Sequence, residues 1–173
     1  MSHLAASFLP VVALTADGFA PFGQVIERSG HRAYAVNEGS SQRFNDLAQL
    51  DADPDGRLAL SIFQASRRQL PIMLNKLERH PLGSQAFMPL NRQAFLIVVS
   101  GKTPDSSQVD AANLKAFLSN GDQGINFKRG VWHHPLIALG EGDFLVADRL
   151  GPGNNSEEID MAHCQVGLSW GVR

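Results

Sequence analysis

The run Phe95-Leu-Ile-Val-Val99 constrains the fold more than any other stretch of the chain. It is apolar throughout and mostly β-branched, so no side of it suits water, and it reads as a strand buried on both faces. Ile137-Ala-Leu139 and Phe144-Leu-Val-Ala147 are shorter versions of it. Leu58, Leu60 and Ile62 alternate with Ala59 and Ser61, the period of a strand with two unlike faces. Turn residues separate these runs at Asp53-Pro-Asp-Gly56, Gly101-Lys-Thr-Pro104, Gly140-Glu-Gly-Asp143 and Gly151-Pro-Gly-Asn-Asn155. The pattern predicts a mainly β protein, a sandwich or barrel rather than a βαβ fold. Phe22, Phe63, Phe95 and Phe144 are assigned to its core.

Helical signals are sparse. Asp110 can cap a helix that places Leu114, Phe117 and Leu118 on one face and ends at Gly121. Thr15 can cap a single turn that Pro21 closes. The opening MSHLAASFLPVVAL has no basic region and is broken by Pro10, so it reads as a first strand rather than a signal peptide.

A length of 173 residues suggests one domain, 1–173, and 43% hydrophobic content with 18% charge can fill a core. The net charge of −2 and the lack of any basic block beyond Arg67-Arg68 give no footprint for nucleic acid. Cys164 is the only cysteine, which excludes an internal disulfide or a cysteine-bound zinc. No run approaches the ~18 apolar residues of a membrane span. The expectation is a soluble, cytoplasmic protein that acts on a small molecule.

Candidate chemistry gathers around histidines. Gly130-Val-Trp-His-His-Pro135 reads as the end of a strand, where His133 shares a side with Val131 and His134 with Trp132. Only one of the two can face the interior. His134 is then structural or at a dimer surface, packing near Trp132. Upstream, Glu78 and His80 are two apart and point the same way, with Arg79 opposite. After the turn Pro81-Leu-Gly83, Gln85 begins the next strand, so Glu78, His80 and Gln85 can share one inner wall. Taken alone, each has a plainer reading. Glu78 can pair with Lys76 on a wet face, His80 can pack in its turn, and Asp148-Arg149 can be a structural ion pair.

Glu78-x-His80, four residues, then Gln85 resembles the first cupin motif, and Gly130-Val-Trp-His133 resembles the end of the second. Two of the usual ligand positions differ. More widely, LTADGFAPFGQVIE, RFNDLA, LERHPLGSQAFMPL, LSNGDQGINFKRGVWHHPL, DFLVADR and GPGNN, in this order, resemble the ureidoglycolate lyase family of allantoin and purine breakdown over about residues 10–158. The resemblance implies a cupin-like β-barrel or jelly roll and a homodimer. It also implies a carbon–nitrogen lyase that splits ureidoglycolate into glyoxylate and urea, with nickel or another divalent metal. The chain departs from the family pattern at Asn45 and at Phe127-Lys128, where a histidine, a tyrosine and a second histidine are expected.

Ureidoglycolate is a carbinolamine bearing a carboxylate. Its cleavage needs a base for the hydroxyl proton, an acid or Lewis acid for the departing nitrogen, and a grip on the carboxylate. His133 can exchange protons near neutrality. Glu78 can orient it, or act as base if burial raises its pKa, with His80 beside them. Arg43 suits the carboxylate as a planar fork, and Lys128 as a point charge. Gln85 and Asn126 suit the urea end. A metal would take Glu78, His80, Gln85 and His133, but a neutral amide is a weak ligand for a transition ion, so acid–base elimination around His133 and Glu78 leads. The alternatives are a catalytically altered binding module for a small carboxylate and a lyase for a related acyl-urea or hydroxy acid.

Overall fold

A computed structural model of the chain describes residues 6–101, 109 and 111–169. The elements run β1 (Ser7–Phe8), β2 (Val11–Ala13), α1 (Ala16–Phe19), β3 (Gly23–Ile26), β4 (Ala33–Val36), β5 (Ser41–Phe44), β6 (Arg57–Ala65), β7 (Ile72–Met73), β8 (Lys76–Arg79), β9 (Gln85–Pro89), β10 (Phe95–Ser100), β11 (Leu114–Leu118), β12 (Gly124–Phe127), β13 (Ile137–Ala138), β14 (Gly142–Leu150), β15 (Glu157–Asp160) and β16 (Val166–Leu168). The architecture is mainly β, as the turn spacing predicted, and cupin-like, as the family resemblance implied. The opening segment does supply strands from Ser7 onward; residues 1–5 lie outside the described residues.

Two larger sheets hold the principal core. One has the order β3-β12-β9-β14-β6, the other β13-β10-β11-β2. β8 pairs with β15 and is stitched to the second sheet by His133, which bridges Glu78 on one side and Val99 on the other. A small third sheet, β1-β16-β7, holds part of a second core. β10 explains the arrangement. Phe95, Ile97 and Val99 join a core with Phe19, Phe87, Phe127 and Phe144, while Leu96 and Val98 join Leu77, Trp132, Met161 and Leu168. The strand is buried along its whole length, because both faces are apolar and each has a core to enter. Each fully buried large side chain contributes about 1.5–3 kcal/mol.

Two expectations about elements fail. Leu114, Phe117 and Leu118 are not on a helix: Ala111–Asn113 forms one 3-10 turn and Leu114–Leu118 is strand β11. Asp110, the expected cap, lies outside the described residues. The apolar set at 114, 116, 117 and 118 suits a strand with two buried faces, and β11 supplies the hydrogen-bonding partner that one side of β10 requires. Phe63 is not core. It lies on β6, which among the described residues is an edge strand paired only with β14, and is 41% exposed, although it meets Phe87 edge-on at 5.9 Å between ring centres. The short turn at Thr15 forms as expected: its hydroxyl accepts from Gly18 N at 3.2 Å, and Phe19 is buried.

β6 carries the alternation foreseen for Leu58, Leu60 and Ile62, yet all three face outward, 42%, 71% and 56% exposed. An edge strand with an apolar outer face is a surface that soluble proteins normally cover. No helix among the described residues is long and apolar enough to cross a membrane.

Candidate active site

The site is built from backbone pairing. Glu78 N donates to His133 O at 2.7 Å and His133 N donates to Glu78 O at 2.9 Å, so the two residues oppose each other and their side chains share one face. On the other side of the segment, Ser100 N donates to Trp132 O and His134 N to Val98 O, both at 2.9 Å. Gly130, in the left-handed region at φ +75°, makes the turn that leads into it, and its N donates to His80 O at 2.9 Å. From the facing sheet come Gln85 on β9, Phe127 on β12 and Asp148 on β14. The turn that crosses between the sheets needs Gly83, because a Cβ there would lie 2.5 Å from the Cβ of Arg149.

The histidines are held in one sense. His133 Nδ1 lies 2.8 Å from Val131 O and His80 Nδ1 lies 2.7 Å from Asn155 O. A carbonyl only accepts, so each Nδ1 carries the hydrogen; His133 Nε2 is then left to accept, whereas His80 Nε2 faces the Gln85 oxygen and bonds it only through a second hydrogen or a shared cation. His133 Nε2 is buried, has no hydrogen-bond partner among the described residues, and stands 3.6 Å from Glu78 Oε1. His80 Nε2 stands 3.1 Å from Gln85 Oε1. The two rings are 5.3 Å apart, and Phe127 stacks on His133 at 4.0 Å with 15° between planes. Ligand atoms of Glu78, His80 and His133 all lie within 4.8 Å of one another.

Glu78 does not behave as a raised-pKa base. Burial pushes its carboxyl up, but the attraction of His133, joined by His80 and Lys76, outweighs this and holds it below its ordinary value. Lys76 itself pairs with Glu158, and Arg79 with Glu157, while the Arg79 guanidinium lies over Trp132 at 4.6 Å. Arg79 therefore does point away from Glu78 and His80. His134 is buried within the chain. Its ring Nδ1 meets Pro135 O at 2.8 Å, and it lines a small cavity of about 10 Å³ with Phe87, Phe95, Ile97 and Phe127. The turn toward Pro135 ends the strand alternation. Burial pushes the His134 ring below its ordinary value, as does the charge of Arg68, against the Pro135 hydrogen bond.

The structure thus brings together Glu78, His80, Gln85 and His133. Three other candidates lie elsewhere. Arg43 is exposed on the β4–β5 hairpin, which forms a separate two-stranded sheet. Lys128 is exposed, with its ammonium on Ala20 O at 2.7 Å. Asn126 opposes Ala86 rather than Gln85, so it faces the other side of the sheet, where its amide donates to Gln24 and Gln49 O. Asn45 is exposed as well. Two residues in the site were missed. Phe127 figured only as a missing hydroxyl, whereas it packs flat on His133. Asp148 was paired with Arg149, yet Arg149 binds Asp53 at 2.7 and 3.1 Å and Asp148 accepts from Gln85 Nε2 at 3.3 Å. The alternation of β14 could have found it, since Phe144, Val146 and Asp148 share a side.

Lone pairs converge here: a carboxylate, two ring nitrogens and an amide oxygen, with backbone carbonyls fixing the rings from behind. That donor set fits a divalent cation with histidine and carboxylate ligands, including the hydrogen bonds to the far ring nitrogens that such ligands make. Glu78, His80 and His133 can hold a metal, with Gln85 Oε1 beside them.

A mainly β framework that closes two imidazoles and a carboxylate between facing sheets defines a cupin-like protein. Residues 6–167 match the model of the family described as ureidoglycolate lyase, and the chain belongs to that family. Among its relatives, the ureidoglycolate lyase of Pseudomonas syringae pv. tomato (strain ATCC BAA-871 / DC3000) is 49% identical over 87% of this chain and 88% of its own. That of Burkholderia mallei (strain NCTC 10229) is 47% identical over 88% and 89%. A solved dTDP sugar isomerase from Desulfovibrio desulfuricans G20 overlays with a TM-score of 0.48 at 17% identity, covering 87% of this chain and 92% of that one, a likeness too distant to transfer anything.

Proposed function

We propose that the protein is a ureidoglycolate lyase whose reaction centre is Glu78, His80 and His133. The observation that carries the reading is the unpartnered, buried His133 Nε2 beside the Glu78 carboxylate, in a chain that belongs to this family. The hydroxyl proton of the carbinolamine passes to His133 Nε2. The C=O bond of glyoxylate forms as the C–N bond breaks, and the ureido nitrogen takes that proton from His133 and leaves as urea. Glu78, held ionised, steadies the positive ring while it carries the proton. His80 and Gln85 line the same pocket and orient the ureido end. If a divalent ion is held by Glu78, His80 and His133 instead, it would supply Lewis acidity at the substrate oxygens in place of proton transfer to His133.

The test is a coupled glyoxylate assay on chelator-treated protein, repeated with nickel, manganese or zinc added back. Turnover restored by metal assigns Glu78, His80 and His133 to a coordination shell. Turnover without metal leaves them as a proton-transfer set. No turnover in any condition defeats the lyase reading and favours a binding module for a small carboxylate.

The same proposal includes a homodimer and action in the cytoplasm on allantoin-derived ureidoglycolate. The outward apolar strip of β6 supports the dimer. Leu60→Glu combined with Ile62→Glu is expected to halve the mass seen by sedimentation while the far-UV spectrum is kept; an unchanged mass places the interface elsewhere.

A further inference from the structure

Asp148 lies on the inner face of β14, opposite Gln85 in the β14–β9 register. Gln85 is buried, and its side chain spans two neighbours, with Nε2 on Asp148 Oδ2 at 3.3 Å and Oε1 on His80 Nε2 at 3.1 Å. A carboxamide is symmetric in shape but not in chemistry: one end donates and the other accepts. An ionised carboxylate only accepts, so it selects the amide orientation in which NH2 faces β14 and the oxygen faces the histidines. Turned the other way, Gln85 would set its oxygen against a carboxylate and bury that repulsion. We propose that Asp148 is a positioning residue that fixes Gln85 with its oxygen toward the reaction centre, so that this end of the pocket reads N–H donors, the ureido nitrogens of the substrate.

The inference rests on the lyase reading for the identity of the substrate and on this hydrogen-bond chain for the orientation. Gln85 Oε1, Glu78 and His133 Nε2 then form one accepting wall, with His80 Nε2 turned to the Gln85 oxygen. A ureido group offers its hydrogens to such a wall, whereas a second carboxylate in their place would meet only lone pairs. Asp148 sets specificity without touching the bonds that break.

Two variants test it. Asp148→Asn can present either end of its own amide, so Gln85 is no longer held. It is expected to lower kcat/KM for ureidoglycolate by about tenfold or more, mainly through KM, with the melting temperature kept. Gln85→Glu combined with Asp148→Asn restores an oxygen toward His80 and a donor toward residue 85 at unchanged net charge, and is expected to recover most of the loss. A single variant as active as wild type, or a double variant no better than the single, overturns the proposal. A readout independent of turnover is the side-chain amide resonance of Gln85 in chelator-treated protein, identified by its loss in Gln85→Glu. It should move on Asp148→Asn, and an unmoved resonance also overturns the proposal. If wild-type protein shows no turnover, the lyase reading fails by itself and the resonance still decides the orientation.

Discussion

Replacing His133 by alanine is expected to lower kcat by about 10³-fold, within the usual range for removing a positioned acid–base group. Both peptide hydrogen bonds of residue 133 to Glu78 survive the substitution, so folding should persist and the loss should be chemical. Glu78→Gln tests the partner. Its folded-state carboxyl is held below the ordinary value, so the carboxylate contributes stability above its unfolded pKa, and that contribution is lost as pH falls through the lower folded value. The stability contributed by this carboxylate should therefore hold down to the ordinary carboxylate range, and the melting temperature should fall only below it on this account. Glu78→Gln should remove that acid limb. A His133→Ala enzyme within about tenfold of wild type would move the proton transfer to another group.

The second large effect concerns the fold. Phe95→Ala on β10 should destabilise the protein by about 3–5 kcal/mol in urea titrations, because the ring is buried and lies edge-on to Phe144 at 5.3 Å. Phe63→Ala should cost far less, since that ring is 41% exposed. Equal effects would mean that β6 is covered, as the proposed dimer would do, and the Leu60→Glu, Ile62→Glu protein would then separate the two contributions.

These two phenylalanines show what the sequence can disclose. Both sit in apolar strands, and periodicity alone cannot say that one strand is central and the other an edge. β10 was legible because its apolar run has no polar side. β11 was not, because an apolar set at 114, 117 and 118 satisfies a helical stripe as well as a strand buried on both faces, and only its pairing with β10 decides. Within the site, Glu78, His80, Gln85 and His133 were legible from two-residue alternation and from the length of one turn. Arg43, Asn126 and Lys128 were chosen for chemistry without a face to place them on, and the structure sets them away from the cluster. Asp148 was hidden by its neighbour, since Asp-Arg suggests a pair until Arg149 is seen bound to Asp53.

The mutual peptide hydrogen bonds of Glu78 and His133 carry a consequence for time as well as space. The distance between the two groups is set by the sheet and not by a mobile loop, so no local hinge can part them. Their amide hydrogens should exchange with solvent only when the whole β framework opens, making the reacting pair one of the slowest-breathing places in the molecule. A centre fixed in this way changes its chemistry by exchanging side chains on a standing frame, while the frame itself stays the same.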